Sequence, residues 1–524
     1  MMLRRGKGGS GLKASSQPGA VDRGGHPPYG APVDAPPIKK DAVLELTLTS
    51  LALGGSGVGR AGDLVVFVPG GYAGERVRVR VIKRRTSWAE ALLLEVLERS
   101  PERVPAPCPH FGAECGGCRM QDLAYPAQVA AKTQQVRETL ARLGGLREVF
   151  VADCVPSPEV WRYRNKMEFS FHPGPEGAPL LGLHKKGRFD ESFDLAECHI
   201  ASALTNRIVA ATQAFARAER WSAYHPRHHS GLVRFLTVRH LPTTNQAAVN
   251  LIVQRDAVPG VERWAEVVRA LDPAVRSVVL NVNDERANIA VGEPALERVL
   301  AGQATIEERL CGLSFEASAH SFLQTNSLQA EALYQAALDE AQLTGLERVL
   351  DVYCGAGTIS LALARRAAEV VGIESVEPAV ADARRNAARN GITNARFACG
   401  DARAVLRMWA HARAGKAPSP ESERGRDHKA PLDPEAYRPL APDVVVVDPP
   451  RAGLHERVIE RVAELAPKRI VYVSCNPATL ARDLALFARQ GYATTRVRPF
   501  DMFPHTPHVE CVATMVAAAI PDRT

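Results

Sequence analysis

The last third of the chain carries four short apolar runs, each ending abruptly in a polar or glycine-rich turn: RVLDVYCG, EVVGIES, DVVVVDPP and RIVYVSC. They are too short for helices, rich in β-branched residues and separated by stretches of helical periodicity. This is the pattern of buried parallel strands joined by crossover helices. An α/β, doubly wound, Rossmann-like sheet is therefore expected over residues 310–524. Such a sheet brings whatever stands after each strand to one carboxyl edge, where ligands bind. Residues 411–440 are charged, proline-rich and without periodicity, and read as a surface loop inserted into this domain.

At 524 residues the chain is long enough for several domains of ~150 residues each. Residues 1–40 combine Gly, Pro, Ser and basic side chains with almost nothing apolar, and read as a disordered arm. Residues 41–100 hold the runs VLELTLTSL, LVVFVPG, ERVRVRVIKRR and EALLLEVLE, separated by glycine-rich turns such as GGSGVGRAGD. They predict a small OB-like β-barrel. There Arg76, Arg78 and Arg80 alternate with valines, so the three share one strand face, either an RNA platform or an ordinary solvated face. Residues 101–309 form a central α+β domain, with a helix near 128–143 and strands at KMEFSFH, FLTVRH, AAVNLIVQ and SVVLNVN.

No apolar run approaches the ~20 residues of a membrane span. The net charge of +7 permits a polyanionic partner without demanding one. Three of the ten cysteines fall within residues 108–118, a spacing that suits metal ligation rather than disulfides. No apolar run of signal-peptide length follows the basic residues Arg4, Arg5 and Lys7. A reducing, cytoplasmic location is expected.

The turn after the first of the four strands contains Gly355-Ala356-Gly357-Thr358, through which a ligand can approach backbone. It lacks the third glycine of a dinucleotide fingerprint, and no phosphate loop occurs, so neither NAD nor ATP fits. Glu374, ending the next strand, is placed to accept hydrogen bonds from ribose hydroxyls, and Asp401 after a further strand could face an adenine amino group. A ribose and an adenine without phosphate suit S-adenosylmethionine. Asp448-Pro449-Pro450 ends a third strand, but Arg451 stands where amino-group methyltransferases usually carry an aromatic residue. Cys475 leaves a fourth strand at the same edge, either as a buried thiol or as a nucleophile. In FPHTPHVEC, Glu510 is a candidate general base, while His505 and His508 lack the second ligand cluster a metal site would need. Cys108, Cys115, Cys118 and Cys198 offer four thiolates, suited to structural zinc or to an iron–sulfur cluster.

Together CPHFGAECGGCRMQ, WRYRNKMEFSF, SFLQTN, LDVYCGAGT, VVVVDPPRAGL, VYVSCNPATLARDL and FPHTPHVECV closely resemble the S-adenosylmethionine-dependent RNA uracil-C5 methyltransferases over about residues 42–516, with a barrel similar to a TRAM domain. The resemblance implies Cys475 as nucleophile and Glu510 as proton acceptor. It implies Gln324, Tyr353, Thr358, Glu374, Asp401 and Asp448 around the cofactor and target pocket, and Phe322 stacked on the target base. It also implies Cys108, Cys115, Cys118 and Cys198 as 4Fe-4S ligands, although the first cysteine interval holds six residues where the family usually has five.

Carbon 5 of uracil is a poor nucleophile, so adding a thiolate to carbon 6 and later removing the carbon-5 proton explains why the chemistry wants a cysteine and a base. The target base must be unpaired or flipped out. Barrel plus cluster resembles the ribosomal-RNA branch, which makes 23S ribosomal RNA the expected partner and transfer RNA the alternative. A monomer is expected. A non-catalytic RNA-binding protein and a cytosine-C5 enzyme are the other readings; the intact Cys475 and Glu510 speak against the first and the Ser-Cys-Asn-Pro context against the second.

Overall fold

The computed structural model describes residues 38–188, 190–286, 288–413, 415 and 433–518. The arm expected at 1–40 lies almost wholly outside the described residues, as do residues 416–432 of the insertion. No described helix is long and apolar enough to cross a membrane.

Five strands close into a barrel in the order Val43–Leu51, Ser56–Ala61, Leu64–Pro69, Trp88–Glu98, Arg76–Arg84. Leu46, Leu48, Val66, Val68, Val77, Val79 and Val81 fill its interior. The strand Ser56–Ala61 lies where the sequence reads as a glycine-rich turn. Its glycines are there for space: a Cβ at Gly57 would stand 2.7 Å from the Gly71 carbonyl oxygen and from Leu48 Cδ1, and one at Gly59 would stand 3.0 Å from the Thr47 oxygen. The arginine face also differs from an uncompensated basic stripe. Arg76 pairs with Glu45 at 2.8 Å and Glu98 at 3.3 Å, and Arg78 with Glu95 at 2.5 Å and Glu45 at 3.1 Å. Strand register sets these acids opposite Arg76 and Arg78, while Arg80 stands across from Val43 and Leu92.

The central sheet has six strands in the order Arg298–Gly302, Val275–Val282, Gln246–Val253, Val233–Leu241, Lys166–Pro173, Pro179–Gly182. Met167, Phe169, Leu236, Val238, Val249 and Leu251 pack with the helices Ala203–Ala218 and Val261–Ala270. The opposite face is polar: register puts Arg239 beside Lys166, Ala248 and, one strand on, Ser277, with Thr237 and Asn250 next along.

The third layer is an eight-stranded sheet ordered Ala395–Cys399, Glu369–Glu374, Arg348–Val352, Val444–Val447, Arg469–Ser474, Glu510–Ala517, Tyr492–Phe500, Phe150–Val151. The strand order reverses between Arg348–Val352 and Val444–Val447, which opens the ligand crevice of a doubly wound sheet. Glu510–Ala517 alone runs antiparallel to its neighbours. The helix Tyr125–Leu143 and the strand Phe150–Val151 belong to this layer by packing, with Val136 and Leu140 in one core with Leu480 and Leu484. The described end of the insertion docks too: Asp433 pairs with Arg384 at 2.7 Å, and Trp409 donates its indole N–H to the Ala436 oxygen at 2.7 Å.

Gly57→Val should overpack the barrel and destabilise it by about 1–3 kcal/mol. The check is the barrel's unfolding transition in urea, which should move to lower concentration; an unchanged midpoint would show that the strand has room for a side chain.

Candidate active site

Each strand of the parallel sheet ends at one edge, and the polar residues read from sequence stand there in a row. After Val352 the chain turns through Tyr353 (φ 70°), Gly355 (φ 54°) and Gly357 (φ 82°) into the helix Thr358–Ala364. A Cβ at Gly357 would meet Ala383 and Phe397 at 3.1 Å, so the turn needs glycine for close packing; at Gly355 the same direction is open. Glu374 holds this turn, one oxygen accepting from Gly355 N at 3.2 Å and the other from Ser375 N at 2.7 Å and Val376 N at 2.9 Å. Asp401 accepts from Arg403 N at 2.9 Å and Ala404 N at 3.2 Å, capping the helix Ala402–Arg413, and its carboxylate also pairs with Arg403. Thr358 lies beside the buried Tyr334, whose phenol is pushed up by burial and eased back by the Thr358 hydroxyl.

On the other side of the crevice stand Asp448, Cys475 and Glu510. Ser474 lies opposite Cys511 in the antiparallel pair, so Cys475, at the exit of one strand, and Glu510, at the start of the other, share the carboxyl edge. Burial pushes the Glu510 carboxyl up to about 8, with Asp448 adding to the effect and Arg451 opposing it. Burial likewise lifts Asp448 to about 7, helped by Asp351. The Cys475 thiol is pushed up to about 11 by burial, then by Glu510 and Asp448, against the pull of Arg451. Asp351 is itself raised to about 7 by burial and accepts from Ser360 Oγ at 2.5 Å. Acids outnumber bases at this edge, with Arg403 and Arg451 the cations beside them. The edge suits a ligand carrying positive charge, such as a sulfonium, and repels a pyrophosphate.

The loops bearing these groups are fixed by residues that the sequence reading did not single out. Asp483 Oδ2 accepts from Leu454 N at 2.7 Å and from the Tyr472 hydroxyl at 2.6 Å, and Arg482 donates to the Ala452 and Leu454 oxygens at 3.0 Å. These bonds hold the Asp448–Leu454 turn on the helix Pro477–Arg489 that follows Cys475. The turn before Glu510 is anchored by the helix Tyr125–Leu143. Lys132 Nζ meets Asp501 Oδ1 at 2.5 Å, and Gln128 Oε1 accepts from His505 N at 2.9 Å. His505 stacks on Trp161 with ring centroids 3.8 Å apart, and burial lowers its imidazole to about 4. Asp483, an acid among apolar residues on the buried face of its helix, was an available signal; Gln128 and Lys132 share their buried face with Thr133, Gln135 and Thr139, and stand out less.

Phe322 and the four cysteines lie in a different place. Cys108, Cys115, Cys118 and Cys198 all line one cavity of about 460 Å³, and Phe322, 72% exposed, stands on its wall. Cys118 is raised to about 12 by burial, with Cys198, Cys115 and Cys108 adding their charge. The longer first interval turns at Gly112 (φ 74°). Among the described residues, no three His, Cys, Asp or Glu side chains converge to hold a metal ion. Gln324 is half-buried, its carbonyl accepting from Asn165 Nδ2 at 2.9 Å, on the loop that joins this cavity to the helix Ser327–Ala341.

A family model described as tRNA (Uracil-5-)-methyltransferase matches residues 124–517. An uncharacterized RNA methyltransferase of Halalkalibacterium halodurans is 37% identical over 479 residues, covering 91% of this chain and 98% of the relative. One from Gloeobacter violaceus is 36% identical over 487 residues, covering 93% and 99%. Among solved structures, the Pyrococcus abyssi tRNA (uracil-54, C5)-methyltransferase in complex with S-adenosyl-L-homocysteine superposes with a TM-score of 0.68 at 29% identity, covering 90% of this chain and all of that one.

Because Glu510 and Asp448 hold the Cys475 proton in place, removing the Glu510 charge should release it. Between about pH 8 and 11 Glu510 is ionised while the thiol is not, and there Glu510→Gln should raise the rate of Cys475 alkylation by iodoacetamide several-fold. Peptide-resolved mass spectrometry reads that rate; an unchanged rate would separate the two groups electrostatically.

Proposed function

The chain belongs to the tRNA (uracil-5-)-methyltransferase family, and from that premise we propose how its own residues carry out the reaction and on which RNA. It is an RNA uracil-5 methyltransferase that uses S-adenosylmethionine. The glycine turn at 355–357, the Glu374 carboxylate and the acidic edge fit that cofactor, with Tyr353, Thr358, Gln324, Asp401 and Asp448 the other candidates to hold it. When bound it supplies a methyl group on a cationic sulfur. The observation that carries the mechanism is the pairing of Ser474 with Cys511, which sets Cys475 and Glu510 at one edge. The Cys475 thiolate adds to carbon 6 of the uracil; the ring's carbon 5–carbon 6 double-bond electrons move to an enolate, which attacks the methyl group from carbon 5 as the methyl–sulfur bond breaks and its electron pair stays on sulfur, leaving a neutral thioether. Glu510 then removes the carbon-5 proton, the double bond re-forms, and the carbon–sulfur bond breaks to return the thiolate. The positive charge of a bound cofactor lowers the raised thiol and carboxyl toward ionisation. Asp448 sits between the two groups electrostatically and would orient the uracil ring.

Cys475→Ala should abolish transfer to background. Glu510→Gln should methylate and then stall, leaving a covalent protein–RNA adduct on a denaturing gel. Absence of the adduct with methylation intact would remove Glu510 from the role of base.

We propose 23S ribosomal RNA as the target, supported by the barrel and the four-cysteine region upstream of the catalytic layer. Transfer RNA is the second reading, favoured by the Pyrococcus abyssi relative, which acts on uracil 54 of tRNA and covers 90% of this chain. Protein incubated with each RNA and methyl-labelled cofactor should put label in 5-methyluridine of the ribosomal RNA alone; label in transfer RNA alone would reverse the assignment.

For the four cysteines we propose a 4Fe-4S cluster, supported by their lining one cavity and by the free thiol form of each, although they do not converge on one metal position in this structure. Cys108, Cys115, Cys118 and Cys198 would hold it, and when bound it would cross-link residues 108–118 to residue 198. Protein purified without oxygen should carry about four irons and four sulfides per chain, and Cys198→Ser should lose most of both; wild-type protein free of iron would remove the cluster.

A further inference from the structure

The N-terminal barrel does not hang from the chain by a linker; it is bonded to the segment that carries the cysteines. Glu75, fully buried, accepts from Tyr72 N at 2.9 Å and from Arg103 Nε and Nη2 at 2.6 and 2.9 Å. Arg103 also pairs with Asp122 and donates to the Gly70 oxygen at 2.7 Å. Tyr72 donates its hydroxyl to Asp122 and packs with Met120 and Leu123. The partners come from both sides of the junction, so the barrel has one seat on residues 103–123.

That seat brings the barrel's first hairpin onto the turn that delivers Glu510. Gln135 Nε2 donates to the Ala52 oxygen at 2.9 Å, and Arg119 Nη1 to the Gly54 oxygen at 3.4 Å. Gly55 (φ 80°) then lies against Pro507: a Cβ there would stand 3.1 Å from Pro507 Cβ and 3.7 Å from its Cγ. Its neighbour Gly54 (φ 94°) has the same left-handed backbone, yet a Cβ on it would meet nothing within 4 Å. Pro507 is buried. The helix Tyr125–Leu143 and the cysteine segment bond this turn as far as His505, and Val509 enters the sheet core. Between them Thr506 and His508 bond within the turn: Thr506 Oγ1 donates to the Phe503 oxygen at 2.8 Å and accepts from His508 N at 3.4 Å. Proline has no N–H to tie it down, so Pro507 is placed by what packs on it.

We propose that Gly55 is a positioning residue for the reaction: the barrel's first hairpin seats Pro507 and, through it, sets the reach of Glu510 toward carbon 5 of the uracil. This rests on the reading of Glu510 as the proton acceptor of an RNA uracil-5 methyltransferase. A methyl group at residue 55 must move Pro507 or the hairpin. A shift that is small for the fold is large for a proton transfer, which requires the base within hydrogen-bond reach of its proton. The barrel thereby serves the chemistry itself, in addition to any contact it makes with RNA.

The test compares Gly55→Ala with Gly54→Ala in the full-length protein. Both place a side chain at positive φ, with the same conformational cost, and only the first presses on Pro507. Initial rates with methyl-labelled S-adenosylmethionine and 23S ribosomal RNA, or transfer RNA where that is the acceptor of wild-type protein, give kcat and KM. A denaturing gel reads the covalent protein–RNA adduct. Gly55→Ala should lower kcat about tenfold, keep KM for RNA within about twofold of wild type, and accumulate the adduct expected of Glu510→Gln, because methylation precedes the proton step. Gly54→Ala should match wild type in kcat and in adduct. Equal kcat in the two glycine variants overturns the proposal. So does a lower kcat in Gly55→Ala without adduct while Glu510→Gln gives one, which marks a general loosening, and so does a raised KM for RNA with kcat unchanged, which makes the hairpin an RNA contact only. Should Gly55→Ala fail to melt cooperatively, Gln135→Leu decides, since it releases the hairpin from the Ala52 oxygen: adduct accumulation supports the proposal, and wild-type kcat without adduct overturns it. If wild-type protein methylates neither RNA, or Glu510→Gln gives no adduct, the reading of the reaction or of its base falls, and this inference with it.

Discussion

The Lys132–Asp501 pair is the interaction on which the geometry of the active edge depends. Both side chains are fully buried and meet at 2.5 Å. Taking two charges out of water costs several kcal/mol, and the attraction between them about offsets that cost, so the pair adds little net stability. Its effect is positional. Lys132 also donates to the Phe503 oxygen at 3.1 Å, and Asp501 Oδ1 accepts from Phe503 N at 3.2 Å. The turn between the last two strands is thereby bound to the helix Tyr125–Leu143, some 370 residues earlier in the chain. Around it Gln128, Trp161 and Tyr163 take the backbone or ring of residues 504 and 505, and Arg119 N and Met120 N donate to the His505 oxygen at 2.9 and 3.1 Å. Arg119 directly follows Cys118, so the cysteine segment and the turn that delivers Glu510 are one hydrogen-bonded unit.

The acidic edge explains the choice of cofactor in the same terms. Asp351, Asp448 and Glu510 are all raised by burial, and Asp448 and Glu510 are raised further by neighbouring acids. A phosphate ligand would add to that repulsion. A sulfonium would relieve it, shifting each carboxyl and the Cys475 thiol toward the ionised form that the proposed mechanism needs. Binding and activation would then be the same electrostatic event.

How much of this the sequence discloses depends on whether a residue's role is local. Tyr353, Glu374, Asp448 and Cys475 follow apolar runs directly, and a strand's end fixes its place at the sheet edge without knowledge of any partner. The central strands are legible for the same reason. The strand Ser56–Ala61 is not, because Gly57 and Gly59 make room for Leu48 and the Gly71 carbonyl, and glycines placed for space look like glycines placed for a turn. The shared face of Arg76, Arg78 and Arg80 is legible from alternation, but its pairing is not, because nothing local says that Glu45, Glu95 and Glu98 stand across from Arg76 and Arg78. Asp483 is a charge at a position where the periodicity of its helix calls for an apolar residue, a breach of local pattern that only its partners outside the helix, Leu454 N and the Tyr472 hydroxyl, account for.

The one antiparallel strand of the sheet is what brings the two residues proposed for catalysis, Cys475 and Glu510, to one edge. A parallel strand would present its last residue to the ligand edge and bury its first at the far side. Reversing Glu510–Ala517 puts its first residue there instead, beside the exit of Arg469–Ser474. This strand lies between Arg469–Ser474 and Tyr492–Phe500 and pairs antiparallel with both. The turn from Asp501 to Val509 must then double back across the carboxyl edge, over the region where substrate enters. That turn has no strand of its own to hold it, and the helix Tyr125–Leu143 with its buried lysine supplies the anchor. The central segment is thus part of the active site's construction, even though neither of its charged anchors stands among the groups proposed to meet the uracil.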